Sequence, residues 1–205
     1  MGNGIFSGAP VFCLIRERLD MIEDLIKKNR SYRRFYQSEP VSIETLRGLV
    51  NLTRFCASGS NLQPLRYKLV NDPAGCADVY RTLGWAGFLK DWGGPAEGER
   101  PSAYIVVAYD PALNKNPAAD AGIAAQTILL GATEQGLGGC MLGNVKRSAL
   151  KASLHIPYEI SLVIALGKPK EKVVLEKMKN GDVKYWRDEA EVHHVPKRAL
   201  DDILL

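Results

Sequence analysis

The chain has 205 residues, of which 46% are hydrophobic and 24% are charged, and this balance fits one folded domain with a sizeable core. Its net charge of +4 comes from lysines and arginines that form no stripe, so it suits small anionic ligands and excludes any general argument for nucleic acid. The four cysteines are far apart, and no histidine stands at metal-ligand spacing, which argues against a zinc site or a disulfide framework. A reducing cytoplasm is the expected location.

The first segment, residues 1–20, contains one short apolar stretch from Ala9 to Ile15, which is too short to span a bilayer. Arg16 and Arg18 follow this stretch, whereas a secretory signal carries its basic residues before the apolar ones. We therefore expect a flexible extension, or an upstream start ahead of Met21, and no membrane partner.

Helices are predicted on both sides of the first motif. Apolar residues recur at helical spacing from Leu14 to Asn29. A second helix begins after Ser42, a typical N-cap residue, and continues to Thr53. Asp72-Pro73 supplies the cap and first position of a third.

The arginine segment, Asn29 to Phe35, lies between the first two helices. It contains Arg30, Arg33 and Arg34, and also Ser31. Guanidinium groups match phosphate oxygens two at a time, and a hydroxyl adds a neutral donor. The segment therefore indicates a phosphate site, although basic residues at a helix end are more often a solvated surface feature.

A polar turn, Cys56 to Pro64, follows the second helix. Its serines and two side-chain amides offer both donors and acceptors, as the edge of a heteroaromatic ring requires. The alternative is an ordinary turn that ends at a proline. The residues concerned are Ser58, Ser60, Asn61 and Gln63.

Buried strands and a long uncharged helix are predicted in the middle of the chain. Tyr67 to Val70, Ala103 to Ala108 and Ser161 to Leu166 read as strands, and such apolar strands imply helices on both faces of a sheet. A helix from Asn116 to Gly136 carries no charge between Ala121 and Ala132, which predicts burial all round, in the domain core or at a subunit interface.

The loop from Gly84 to Pro101 is long and irregular, and it contains Trp85, Phe88 and Trp92. Long loops are usually functional or disordered, and large aromatic residues argue against disorder. We expect either a lid that shapes a substrate pocket or a satellite hydrophobic cluster. The pair His193-His194 is interpreted as a structural feature of a surface turn.

Four segments in order resemble the nitroreductase family of flavin enzymes. Arg30-Ser31-Tyr32-Arg33 and then Ser58-Gly59-Ser60-Asn61-Leu62-Gln63-Pro64 are similar to the family's opening. Asp120 to Gly143 is similar to its central helix and glycine-rich segment, and Val195 to Arg198 to its basic C-terminal element.

The resemblance extends over residues 21–205, which would form one FMN-binding domain. The chain departs from it at Asn29, where many members carry arginine, and at Leu65, where many carry tryptophan. The first departure leaves the phosphate site one charge poorer, and the second changes packing more than chemistry.

The resemblance implies an α+β fold with a central, mainly antiparallel sheet flanked by helices, in an intertwined homodimer that binds FMN at the interface. It implies hydride transfer from NADH or NADPH to a nitroaromatic, a quinone or a similar acceptor by a ping-pong mechanism, with no catalytic side chain because flavin N5 carries the hydride.

The resemblance also implies which residues bind the cofactor. The implied phosphate ligands are Arg30, Ser31, Lys197 and Arg198, and Arg33 would lie near N1 and O2 of the ring. Leu142 and Gly143 would contact the cofactor, as would Ser58, Ser60, Asn61 and Gln63 from the partner subunit; Trp85, Phe88 and Trp92 would line the substrate pocket.

Two alternatives remain open at the level of sequence. A flavin enzyme of the same fold with other chemistry, such as reductive dehalogenation or dehydrogenation, would share the cofactor residues and differ in the loop. A non-enzymatic module that binds anions or nucleic acid would use Arg30, Arg33 and Arg34 beside Tyr32 and Tyr36, and would be colourless.

Overall fold

A computed structural model describes residues 21–205 of the chain. The first described helix, α1, covers residues 21–28, and most of its side chains are exposed. The expected extension at 1–20, and the first part of the helix predicted from Leu14, lie outside the described residues.

A four-stranded sheet forms the centre of the fold. Its strands are β1 (Leu65–Val70), β2 (Ala103–Tyr109), β3 (Gly138–Leu142) and β4 (Glu159–Gly167). They lie in the order β1-β2-β4-β3, and every neighbouring pair is antiparallel. The predicted antiparallel α+β architecture is confirmed.

Helices cover both faces of this sheet, as the apolar strands predicted. One core lies under α2 (Ile43–Thr53) and α4 (Ala118–Glu134), and the other under α3 (Pro73–Tyr80) and α5 (Arg147–Leu154). Alternate residues of β2 face the two cores, because successive side chains of a strand point to opposite sides.

Two predicted caps are confirmed. The Ser42 side chain accepts a hydrogen bond from the Thr45 N–H, and the Asp72 side chain accepts one from the Gly75 N–H, so each satisfies a donor that the first helical turn leaves free.

Within the single chain the uncharged helix is buried on one side only, and its expected burial at a subunit interface stays a prediction. In α4, Ala121, Ala125 and Ile128 are buried against the sheet, whereas Gly122 and Ile123 on the other side are exposed. One sheet face can cover only one face of a helix, so uncharged composition does not by itself determine how much is buried.

A second, three-stranded sheet carries the C-terminal part of the chain. Its strands are β5 (Val173–Lys177), β6 (Trp186–Arg187) and β7 (His193–Lys197), in the order β5-β7-β6, with β5 parallel and β6 antiparallel to β7. The surface turn predicted at His193-His194 is wrong: both residues lie in β7, and His193 is fully buried. No helix among residues 21–205 is long and apolar enough to cross a membrane.

Candidate functional site

The arginine segment lies against the first part of β3. Ser31 forms a parallel bridge with Gly139, and the Tyr32 N–H donates to the Gly139 carbonyl at 3.0 Å. A Cβ atom at Gly138 would come within 2.5 Å of the Tyr32 ring, and one at Gly139 would collide with the Ala165 carbonyl. Gly138 therefore allows the close approach of the arginine segment, whereas Gly139 allows β3 to pack closely against β4 and α4.

A cavity of about 260 Å³ lies beside this segment, and we call it the basic cavity. It brings together both ends of the described chain, because β7 passes next to the arginine segment. Three of its lining residues carry a cationic side chain, namely Arg30, Arg33 and Lys197. The full lining is Asn29, Arg30, Ser31, Arg33, Tyr185, His193, Val195 and Lys197.

Several polar atoms around the basic cavity have no partner within the described chain. Arg30 Nε, Arg33 Nε and His193 Nδ1 are buried and make no hydrogen bond. Burial lowers the pKa of Arg30, because an enclosed cation without a counter-charge is disfavoured. An anionic ligand with several acceptor oxygens would satisfy these groups.

Arg33 is held on two sides inside the cavity. Its guanidinium carbon lies 4.8 Å from the Tyr185 ring centroid, and its Nη1 lies 3.3 Å from His193 Nε2. Burial, and then the charge of Arg33, lower the pKa of His193 to about 4. A neutral His193 can accept a hydrogen bond from Arg33 through Nε2, which aims the guanidinium group.

Arg34 does not line the basic cavity. Its Nε and Nη2 donate to the two carboxylate oxygens of Glu99 at 2.6 and 2.8 Å, and its Nη1 donates to Glu191. These bonds from Arg34, together with Lys170, lower the pKa of Glu99 to about 2. Arg34 therefore joins the arginine segment to the 84–101 loop.

The polar turn lines a different cavity, of about 210 Å³, which we call the turn cavity. Ser58 and Gln63 line it, together with Arg66 and Tyr67, whereas Ser60 and Asn61 are exposed nearby. The linings of the turn cavity and the basic cavity have no residue in common.

The turn has an unusual backbone. Ser60, Asn61 and Gln63 have φ values of 49°, 55° and 49°, in the left-handed region that most residues avoid. The turn is anchored by the Gly59 N–H, which donates to Asp120 of α4 at 3.0 Å. Such strain is concentrated at functional sites and persists when the surroundings hold it.

Five of the predicted cofactor residues lie outside both cavity linings, namely Ser60, Asn61, Leu142, Gly143 and Arg198. Leu142 is buried at the end of β3, and Gly143 follows it in an exposed position. Arg198 comes directly after β7, and both it and its neighbour Lys197 are exposed, but only Lys197 lines the basic cavity.

The three aromatic residues of the 84–101 loop have different surroundings. Trp85 is buried in the core next to Tyr80. Trp92 packs against Arg187, with 4.3 Å between the ring centroid and the guanidinium carbon. Phe88 is about half exposed and contacts Tyr185, with ring centroids 5.0 Å apart, and Tyr185 itself lines the basic cavity.

Sequence reasoning missed Tyr185, His193 and Glu171. Tyr185 and His193 line the basic cavity, and Glu171 accepts backbone hydrogen bonds from the arginine segment. The one available signal was the alternation along β7, which places His193 and Val195 on the same side as Lys197. Among residues 21–205, no group of three or more His, Cys, Asp or Glu side chains could hold a metal ion.

The fold and the cationic cavity define an α+β protein equipped to hold an anionic ligand. Residues 26–168 match the model of the nitroreductase family, which is more than half of the chain. The chain therefore belongs to the nitroreductase family. No curated protein sequence shows a significant match to the chain.

Solved structures with the same fold include several nitroreductases. A nitroreductase family protein from Streptococcus pneumoniae TIGR4 is 16% identical, with a TM-score of 0.65 over 90% of this chain and 98% of that one. One from Clostridium novyi NT is 21% identical, with a TM-score of 0.60 over 72% of this chain and 86% of that one. An FMN-dependent nitroreductase from Clostridium difficile R20291 is 25% identical, with a TM-score of 0.58 over 77% of this chain and 91% of that one.

Proposed function

We propose that this protein is an FMN-dependent oxidoreductase that takes hydride from NADH or NADPH and passes it to an electron-poor acceptor such as a nitroaromatic or a quinone. Family membership supports an oxidoreductase, and the similar protein from Clostridium difficile is FMN-dependent. The observation that carries the proposal is the basic cavity, in which Arg30, Arg33 and Lys197 converge on one space.

The residues of the basic cavity fit a terminal phosphate. Arg30 and Lys197 supply charge, and the Ser31 side chain supplies a hydroxyl donor. The unpartnered Nε atoms of Arg30 and Arg33 need acceptor oxygens, which a phosphate dianion provides. The exposed Arg198 beside β7 would add long-range attraction for the same anion.

The ring of the cofactor would extend from the phosphate towards a second set of groups. Arg33, aimed by His193 and Tyr185, would lie near N1 and O2 of the ring, where reduction places negative charge. A cation there stabilises the reduced form more than the oxidised form. Phe88, which meets the Tyr185 ring edge to face, would form one wall of the substrate pocket.

The remaining ring contacts would come from a second copy of the chain. Ser58 and Gln63 line the turn cavity, separate from the basic cavity, so one chain presents two half-sites. An apolar groove of about 390 Å³ between α1, α2 and α4 supports a homodimer. The groove includes Leu25, Leu52, Phe55 and Leu130.

Bound FMN would supply the hydride carrier, and the chain would orient it, exclude water and admit the two substrates in turn. Because donor and acceptor would occupy the same space alternately, double-reciprocal plots should show parallel lines. The acceptor would be a small molecule, and the protein would act in the cytoplasm.

The test begins with the colour of the purified protein. The proposal expects a yellow dimer in sedimentation that releases FMN, and no FAD, when it is denatured. A protein that stays colourless after incubation with excess FMN would contradict the proposal and would favour an anion-binding module. Intersecting double-reciprocal lines would contradict the alternating use of one site.

A further inference from the structure

A buried carboxylate holds the backbone of the arginine segment from the side of the second sheet. The Glu171 side chain is fully buried, and its Oε1 accepts the backbone N–H groups of both Arg33 and Arg34, the latter at 3.2 Å. Its Oε2 accepts from Arg187 Nη2 at 2.9 Å. Two consecutive peptide groups of the segment are therefore fixed by one side chain.

Arg187 is in turn held by the 84–101 loop. Its side chain is only 10% exposed, and its guanidinium carbon lies 4.3 Å from the Trp92 ring centroid. A continuous series of contacts thus leads from Trp92 through Arg187 and Glu171 to the backbone of Arg33. Arg34 and Glu99 make a second link between the same loop and the same segment.

The energetics of burial explain why this carboxylate needs all its partners. An isolated buried charge is strongly disfavoured, and Glu171 is compensated by one cation and two N–H donors. Because Arg187 neutralises Glu171, the carboxylate opposes an anion in the basic cavity only weakly. Its main effect on such an anion is then geometric, through the direction of the Arg33 backbone.

We propose that Glu171 is a positioning residue for the phosphate of FMN, and that Arg187 and Trp92 keep Glu171 in place. The aromatic loop then supports cofactor binding through this series of contacts, without touching the phosphate. This inference rests on the proposed function, because it takes the basic cavity to be the phosphate site.

The test compares FMN with riboflavin, which has the same ring and lacks the phosphate. Apoprotein is titrated with each flavin. The dissociation constant of riboflavin divided by that of FMN measures the contribution of the phosphate to binding. Glu171→Ala should lower this ratio about tenfold, because the arginine segment loses two backbone hydrogen bonds. Trp92→Leu should lower it about threefold, because Arg187 loses its stacking partner.

Matched controls come from the other side of the second sheet. Trp186 stacks on His194 at 4.9 Å, and Glu176 accepts from His194 at 2.8 Å, so these contacts have similar chemistry without reaching the arginine segment. Trp186→Leu and Glu176→Gln should leave the ratio unchanged, even if they lower the melting temperature of the apoprotein.

The outcomes separate this inference from the proposed function. Equal loss of affinity for both flavins in Glu171→Ala and Trp92→Leu would show a purely structural role and overturn the inference, as would an unchanged or raised ratio. Should Glu171→Ala fail to fold, Trp92→Leu decides. If the unaltered protein binds FMN no better than riboflavin, the basic cavity is not the phosphate site, and the proposed function fails together with the inference.

Discussion

His193 and His194 are neighbours in one strand and lie in opposite electrostatic environments. His193 faces Arg33, with Arg187 nearby, and its pKa is lowered to about 4, chiefly by burial. His194 lies between the carboxylates of Glu176 and Asp188, at 2.8 and 3.1 Å, and their hydrogen bonds raise its pKa. The alternation of a strand thus gives one histidine to the candidate site and the other to the surface of the second sheet.

The two histidines should affect stability in different pH ranges. The neutral form of His193 is favoured in the folded chain, so its contribution is lost as the pH falls from about 6.5 to about 4. The charged form of His194 is favoured in the folded chain. Its contribution to stability is therefore fully present below about pH 6.5 and is lost as the pH rises through its raised pKa. Urea unfolding of the apoprotein across the acid and neutral range measures both effects.

Glutamine variants assign these effects to single residues. His193→Gln should reduce the loss of stability on the acid side, and His194→Gln should reduce the loss on the neutral side. If the free energy of unfolding changed with pH in the same way in both variants and in the unaltered chain, the two histidines would not lie in different electrostatic environments.

Arg30 and Lys197 should act mainly on the affinity for FMN. Arg30→Ala or Lys197→Ala removes a charge-assisted hydrogen bond to the phosphate, worth about 1.5–3 kcal/mol, and should weaken FMN binding about ten- to a hundredfold. Because only binding is affected, turnover should recover when excess FMN keeps the site full. Flavin titration of the apoprotein, followed by turnover assays at saturating FMN, provides the measurement.

Arg33 should act on the reduction potential. Arg33→Ala should lower the midpoint potential of the flavin and slow its reduction even at saturating FMN, because the lost charge stabilised the reduced form more than the oxidised form. The neighbouring Arg34→Ala is the matched control, since Arg34 is paired with Glu99, and it should lower stability without shifting the potential. An unchanged potential in Arg33→Ala would leave Arg33 as another phosphate or surface arginine.

Gly139 should be essential for the close packing of β3 against β4 and α4. Gly139→Ala places a Cβ atom against the Ala165 carbonyl and the side chains of Leu129 and Leu166, and should cost about 1–3 kcal/mol of folding free energy. Gly48→Ala, in an exposed position of α2 with open space around it, should instead stabilise the chain by up to about 1 kcal/mol. Denaturant unfolding of both variants shows whether the free energy of unfolding falls in Gly139→Ala and rises in Gly48→Ala.

The exposed side of α4 should be a subunit interface. Ile123, 43% exposed in the single chain, is expected to be buried in a dimer, so Ile123→Glu should give monomers in sedimentation and weaken FMN binding. Val183→Glu, at a site that is 50% exposed near β6, is the control and should leave the dimer intact. A dimeric Ile123→Glu protein would place the interface elsewhere.

Much of the local structure was predictable from the chain. Ser42 and Asp72 begin helices because their side chains accept the free N–H groups of the first turn, and that chemistry depends on near neighbours in sequence. The apolar segments Ala103 to Ala108 and Ser161 to Leu166 became the central strands β2 and β4, which extend slightly beyond the predicted bounds, to Ala103–Tyr109 and Glu159–Gly167. Arg30 and Lys197 were selected as candidates for one phosphate, and the fold places both beside the basic cavity.

Other features depended on the tertiary structure, because partners far apart in sequence determine them. Arg33 and Arg34 are equivalent in the sequence, and only the positions of Glu99 and His193 decide that one pairs with a carboxylate and the other lines the cavity. His193 became a buried residue because β7 lies between β5 and β6.

The sequence by itself determined the helix starts, the buried strands and the residue types available for an anion, because these follow from local hydrogen bonding and from apolar periodicity. Only the tertiary structure decided which cationic side chains line the basic cavity together and which are instead paired with carboxylates. Electrostatic interactions depend on distances and burial, and folding sets those for residues such as Arg33 and Glu171, which are far apart along the chain.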